Sequence, residues 1–468
     1  MLMRFSVSNF MSFGYKTDER QNPVPDEFYL YAGTSEQHKE RVVHYADRKV
    51  LKFTSVYGAN SSGKTNLIHA VDAGRQILVK TMNGADCKDK YCKSRLQNQS
   101  MPTMFEYEFT IGSRCFAYGF TVNLNQKCVL SEWLYEMKGR KEYTVYERTA
   151  EDEQYYFDES MFRNSENLHQ FHFFMKDANR IHSSLLLYEI ARRNIDDSEF
   201  AVFSEIYRWF EEKLIVIYPD TKVAASFMLF GRDNHKLINV LSYLDTGITG
   251  YVMRKIKKEA FRQYFPDESK AEVFLQKPEV QDLQNAKGIL IFGRMLFELE
   301  YNEQGVSEIR KLMFQHGQDE NSYEFGEESD GTQRLIELMA VVLNQDDDKV
   351  FFIDELDRSL HPQMTVKFVE TFLKFSADKT SQLVITTHES NLMDLNILRR
   401  DEIWFAEKAN DNTSILYTLE KFKIRYDKVI SKDYLSGRYG AVPVFKDFEY
   451  TWGGNDFEKT ESAYTQAL

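Results

Sequence analysis

Apolar and polar positions alternate along 3–10, "MRFSVSNF", with the two-residue period of a strand. The run at 50–58, "VLKFTSVYG", predicts a second strand that ends on a glycine. A helix is expected to follow from Lys64 to about Val79. Three further strand-like stretches, "MFEYEFTIG", "CFAYGFTVN" and "VLSEWLYEM", are separated by Gly-Ser and Asn turns and predict an antiparallel sheet. From about residue 160 the period lengthens. "SSLLLYEIARRN", "SEFAVFSEIYRWFEEKL" and "GYVMRKIKKEAFRQYF" space their large apolar residues as helices do. After Gly288, "ILIFGRMLFELEY" is strand-like and leads into a second β/α region. The pattern thus divides the chain into an N-terminal lobe at 1–160, a mainly helical insertion at 161–290 and a C-terminal lobe at 291–468. No heptad run of coiled-coil length occurs in the insertion.

Composition changes this picture little. Of 468 residues, 43% are hydrophobic and 28% charged, enough for two or three packed lobes. No apolar run approaches the roughly 18 residues that cross a bilayer, and no secretion signal is recognisable, so a cytoplasmic protein without a membrane partner is expected. The net charge of -13 argues against a surface broadly built for duplex nucleic acid. Locally the balance differs: Lys80, Lys88, Lys90, Lys93 and Arg95 form the most basic stretch, which reads as a solvated loop. Cys87, Cys92, Cys115 and Cys128 lack the flanking ligands of a zinc site and are expected as reduced thiols.

Chemistry enters at "GANSSGKT", a complete G-x-x-x-x-G-K-[ST] phosphate loop between strand and helix. Gly58, Ala59, Asn60, Ser61, Ser62 and Gly63 supply a tight turn whose amides face phosphate oxygens. Lys64 supplies a cation for the β and γ phosphates, Thr65 a hydroxyl for Mg²⁺, and Asn66 is expected among the nucleotide-binding residues. The partner acid is expected in "KVFFIDE", where Asp354 would hold magnesium and Glu355 would polarise the attacking water. Asp346, Asp347 and Asp348 read as a polar turn before that strand. A further strand, "QLVITTH", ends at His388, placed to sense the γ-phosphate. Lys64 and Asp354 lie 290 residues apart, so a large insertion separates the two halves of one site. Just before the acidic strand, "ESDGTQRL" places Ser329 and Gly331 at the edge of a helix expected to begin at Thr332. Amides and the helix dipole would there attract a second anion.

This series resembles the ABC-type ATPase heads, including SMC-type and RecF/OLD-like proteins. The fold implied is α/β: an ABC-type P-loop ATPase head with a mixed sheet, flanking helices and an antiparallel β subdomain, interrupted by the insertion. Within that group "NFMSFG", "GANSSGKTNLI", "ESDGTQRL", "IDELDRSLHP" and "ITTHESNLMD" look most like ATPases of bacterial abortive-infection and antiphage systems, such as the ATPase subunits of PARIS systems. The resemblance covers both ends of the chain well and the middle poorly. It implies ATP and Mg²⁺ as cofactors, Gly58 to Thr65 as Walker A, and Asp354 with Glu355 as Walker B. Asp357 falls in the D-loop, His388 is the switch residue, and Ser329 with Gly331 form a signature that closes on the nucleotide of another copy. Asp330 stands where the usual Leu-Ser-Gly-Gly-Gln signature has glycine. For the Q-loop glutamine, Gln97 and Glu132 are the substitutes. The implied partners are a second copy in a head-to-tail dimer or higher oligomer, a phage trigger and a separate toxic effector. Only 80 residues follow His388, too few for the Toprim nuclease of OLD-type relatives, so a Toprim-type nuclease would be that effector. The tail "DYLSGRYGAVPVF" is similar to the closing segment of such ATPases, and either docks a partner or packs as an ordinary terminus. Two other function classes stay open: an SMC/RecF-like DNA-repair ATPase acting directly on DNA, and a scaffold in which nucleotide only stabilises assembly.

Overall fold

The computed structural model describes residues 1–443 apart from 46–47, 140, 151–153, 194, 222–233, 277–286, 294, 318–320, 344–347 and 424–428. Asp346 and Asp347 of the expected polar turn, and Val444 and Phe445 of the tail stretch, lie outside the described residues.

A six-stranded sheet runs in the order Leu214–Ile217, Val350–Ile353, Gln382–Thr386, Phe53–Tyr57, Ile403–Lys408, Ser414–Thr418. Its first five strands are parallel and the last is antiparallel. Parallel strands covered on both faces favour apolar residues along their length, and these are mostly apolar, with Thr54, Ser55, Gln382 and Thr386 as the buried polar exceptions. Val56, Val350, Phe352 and Val384 face one core with Leu67, Ile68 and Val71 of the helix Lys64–Gly84. Their neighbours Phe53, Phe351, Ile353, Leu383 and Ile385 face a second core with the helices Asp330–Leu343 and Pro362–Phe375. The result is a mixed α/β architecture, with the phosphate-loop motif following the carboxyl end of one of the parallel strands.

Beside it lies a seven-stranded antiparallel sheet, ordered Gln154–Phe157, Lys141–Thr149, Cys128–Lys138, Arg114–Asn123, Thr103–Ile111, Leu2–Ser8, Asp26–Tyr29. The three strands expected between 104 and 137 are present in it. Gln382 joins the two sheets: its Oε1 accepts from the Leu2 amide at 2.6 Å, and its Nε2 donates to the carbonyls of Leu2 and Leu51. Helices Ser165–Arg180, Leu186–Ala191 and Ala201–Arg208 cover the antiparallel sheet through Phe171, Phe174, Leu186 and Phe203.

Several expected elements differ. The run 50–58 holds two strands, Arg48–Leu51 and Phe53–Tyr57, with Lys52 between them donating to the carbonyls of Ser376 and Ala377. The phosphate-loop helix continues past Val79 to Gly84, with a break at Thr81, whose φ is 64°. "GYVMRKI", read as helical, belongs to the strand Ile248–Ile256, and only Lys258–Arg262 of that stretch is helical. Its partner Gly305–His316 overrides the weak local preference by supplying a full antiparallel ladder. "ILIFGRMLFELEY" is a hairpin, Lys287–Phe292 with Met295–Asn302, in that same third sheet. Most consequential, Leu214–Ile217 is the edge strand of the central sheet, although it follows directly on a helical pattern. The four cysteines are free thiols.

One buried acid gives the fold a pH dependence. Burial pushes the Glu402 carboxyl from its usual 4.5 up to about 8; Oε2 accepts from the Arg399 amide, and Oε1 has no partner among the described residues. The unfolded chain surrenders this proton earlier than the folded one, so stability falls as pH rises from about 4.5 to about 8. Glu402→Gln is therefore expected to raise the melting temperature at pH 8.5 and to leave it nearly unchanged at pH 5. Equal melting of both proteins at both pH values would contradict this.

Candidate functional site

Three neighbouring parallel strands end on the residues that carry chemistry. Phe53–Tyr57 runs into the loop Gly58 to Gly63, which turns into the helix beginning at Lys64. Gly63 has φ 109°, a value that favours glycine, and Ser414 and Ser12 lie close behind it. A side chain at Gly58 would run into the Ala406 carbonyl and the Ser62 hydroxyl. Ser61 has φ 64° and is exposed with Asn60, whereas Ser62 is buried. Lys64 folds back over the loop, its Nζ donating to the carbonyls of Gly58 at 2.8 Å and Ala59 at 3.1 Å. Burial holds its pKa below the usual 10.5, an effect opposed by Asp354, Asp357 and Glu355. Asn66 donates to Ser12 Oγ at 2.8 Å, anchoring the first turn of the helix.

Val350–Ile353 delivers Asp354, which is 2% exposed. Its Oδ1 accepts from Thr65 Oγ1 at 3.2 Å and from Thr386 Oγ1 at 2.5 Å. A hydroxyl and a carboxylate converging in this way are the hard oxygen donors that Mg²⁺ prefers, so the residues present fit that ion. Glu355 has φ 48°, an uncommon conformation for a residue with a side chain, and its amide is tied to Thr386 Oγ1 at 2.8 Å. Asp357 reaches across to the next strand, accepting from the His388 amide at 3.2 Å. Burial and the nearby Lys64 lower the pKa of His388 below 6.5, leaving a neutral imidazole at pH 7.

Gly331 sits against the turn Asp357–Ser359, with Ser329 two residues before it. Ser329 precedes the helix, which starts at Asp330 rather than Thr332. Its Oγ accepts from the Thr332 amide at 3.1 Å and contacts Thr332 Oγ1 at 2.9 Å. It is thus an N-cap within this chain. A Cβ on Gly331 would fall 2.8 Å from the Ser359 carbonyl, so glycine permits the helix to sit close against the turn that follows the acidic pair. Ser329 makes no hydrogen bond to residues 58–66 among the described residues.

The two substitutes for a Q-loop glutamine are not brought to this cluster. Glu132 is buried inside the antiparallel sheet, where it accepts from Tyr118, Tyr146, Arg148 and the amides of Leu186 and Leu187. Gln97 lines a separate cavity with Arg95, Asp411 and Thr413. A different segment does reach Asp354, the turn Tyr218–Thr221 at the end of the edge strand. The Asp354 amide donates to the Ile217 carbonyl at 2.9 Å, and Arg358 pairs with Asp220 at 3.2 Å. Tyr218 fixes the turn to the phosphate-loop helix by donating to Asp72 at 3.0 Å and meeting His69 Nδ1 at 3.2 Å. Sequence reasoning also missed Thr386, which orients both acids. A hydroxyl at the end of "QLVITT", one strand over from the acidic pair, was the available signal.

Residues 53–394 match the family described as "AAA domain, putative AbiEii toxin, Type IV TA system". The chain belongs to that family. That match spans residues 58–65, Ser329, Gly331, Asp354, Glu355 and His388. No curated protein matches the chain. Among solved structures it is similar to the SMC head domain from Thermotoga maritima, at 11% identity and a TM-score of 0.37, over 90% of this chain and 99% of that one. It is similar also to an SMC head with an extended coiled coil bound to the C-terminal domain of ScpA derived from Pyrococcus furiosus, at 12% identity and a TM-score of 0.37, over 90% and 97%. Among the described residues no helix is long and apolar enough to cross a membrane.

Proposed function

We propose that this AAA-family protein binds and hydrolyses ATP with Mg²⁺, and that nucleotide binding controls its assembly and a separate effector. The observation that carries this reading is the convergence of Lys64, Thr65, Asp354, Glu355 and His388 at the ends of three adjacent strands, with Thr65 and Asp354 3.2 Å apart. Lys64 exchanges the carbonyls of Gly58 and Ala59 for β and γ phosphate oxygens, a short swing of a flexible stem. Thr65 and Asp354 would hold Mg²⁺, which would supply positive charge to the phosphates. Glu355, its backbone fixed by Thr386, takes the proton of a water aligned with the γ-phosphorus, and neutral His388 donates a hydrogen bond to the γ-phosphate. Little else is required, because phosphoryl transfer is governed by positioning and charge.

The family description, with its putative toxin and toxin–antitoxin system, supports a role in abortive infection, and the motif resemblance points to antiphage ATPases of the PARIS kind. In that setting two copies pair head to tail around ATP, each Ser329 turn meeting the other's nucleotide. The assembly responds to a phage trigger and holds or releases a separate toxic effector, a Toprim-type nuclease by resemblance, in the cytoplasm. Wild-type protein is expected to release phosphate from ATP only with Mg²⁺. Lys64→Ala should lose both turnover and ATP binding, read by phosphate release and calorimetry. Turnover by Lys64→Ala equal to wild type would refute the site, and strong stimulation by duplex DNA would favour an ATPase acting on DNA.

A further inference from the structure

A cavity of about 550 Å³ opens beside the phosphate loop. It is lined by Ser61 and Asn66 and by Lys90, Tyr91 and Cys92 from the basic stretch read from sequence as a solvated loop. Met11 and Ser12 also line it. One side chain just after the N-terminal strand makes three hydrogen bonds to the backbone of residues 92–101. Asn9 is fully buried, with φ 56°. Its Nδ2 donates to the carbonyls of Asn98 at 2.8 Å and Met101 at 3.0 Å, while its Oδ1 accepts from the Cys92 amide at 3.2 Å. Two residues on, the Met11 amide donates to the Lys90 carbonyl at 2.7 Å. The same turn also grips the phosphate loop. Ser12 Oγ accepts from Asn66, and Ser414 Oγ bridges Ser12 and the Ser62 carbonyl at 2.7 Å each. The turn after the first strand is therefore a bracket that sets the distance between the phosphate cradle and the Tyr91 wall.

From this geometry we propose that the cavity is the nucleoside half of the nucleotide site, with Tyr91 as the face against the base and Asn9 as the residue that positions it. This rests on the reading of residues 58–65 as a phosphate cradle. The cavity is lined by Ser61 of the loop and Asn66 of the helix it leads into, so it adjoins any phosphates held there, and it has the size and the mix of aromatic, apolar and polar lining that a nucleoside fills. The motif "NFMSFG" thereby acquires a physical role, in which Asn9 holds the base-side loop and Ser12 the phosphate side. Asn9 touches no ligand in this scheme and acts through Tyr91.

Calorimetry with Mg·ADP and with Mg·pyrophosphate separates the two halves, because only ADP carries a nucleoside. Removing one stacking ring should weaken a nucleotide roughly tenfold. Tyr91→Ala is expected to raise the Kd for ADP by about that factor, to leave pyrophosphate within about twofold, and to raise KM for ATP with kcat little changed. Tyr91→Phe should restore ADP affinity. Asn9→Ala should follow Tyr91→Ala in its selectivity, and the partly exposed Tyr91 keeps the test decisive if the buried asparagine is needed for folding. Unchanged ADP affinity in Tyr91→Ala, or equal weakening of ADP and pyrophosphate, would overturn the proposal. Failure of the wild type to bind either ligand would instead refute the phosphate cradle, and the nucleoside site with it.

Discussion

Glu355→Gln is expected to slow phosphate release by a factor on the order of 100 to 10,000 while leaving ATP binding intact. The substitution keeps the shape of the side chain and the amide bond to Thr386, so the left-handed turn at Glu355 and the adjacent Asp354 are undisturbed. What is lost is the base. Asp354 cannot replace it, because its Oδ1 already accepts from Thr65 and Thr386 and it is the residue placed to hold Mg²⁺. His388 is a poor base here, since burial and Lys64 keep it from holding a proton. Single-turnover phosphate release compared with equilibrium ATP binding reads both halves of the expectation. A Gln variant that turns over at the wild-type rate would assign the water-activating role elsewhere.

Glu132→Ala should produce the largest loss of stability. The Glu132–Arg148 pair is wholly buried, at 2.8 Å, and Arg148 also donates to the carbonyls of Ala178 and Ser184. The carboxylate further accepts from two tyrosines and from the two amides that begin the helix Leu186–Ala191. It therefore pins the covering helices to the antiparallel sheet. Removing one member of a buried pair typically costs about 3–5 kcal/mol, because the remaining charge keeps its desolvation penalty without its partner. Here four further donors lose their acceptor, so the variant should unfold at markedly lower urea concentration or fail to accumulate. A midpoint close to wild type would mean that water or rearrangement replaces the hub.

The difference between these two glutamates explains what could be read from the sequence. The position of Glu355 was legible because it follows a short apolar run that reads as a buried strand. The phosphate loop was legible for the same reason: Gly58, Gly63, Lys64 and Thr65 are fixed by local geometry. Glu132 was not, because its partners come from residues 118, 146, 148 and 186–187, and nothing local distinguishes it from an exposed strand glutamate. The edge strand Leu214–Ile217 was hidden differently. Four residues are too few to display a two-residue period, and the preceding helical pattern ends in a π-helical turn at Trp209–Lys213 that carries the helix signal up to its first residue. Missing that strand meant missing Tyr218 and Asp220. Asn9 belongs to a motif visible in the sequence, but its role depends on a loop some 90 residues later.

The pairing of two copies around nucleotide is the claim on which the function turns, and the mass of Glu355→Gln in solution tests it most directly. With Mg·ATP, sedimentation should give at least twice the monomer mass; without nucleotide, or with Ser329→Arg added, it should give the smaller species. An identical mass in all three conditions would contradict the account.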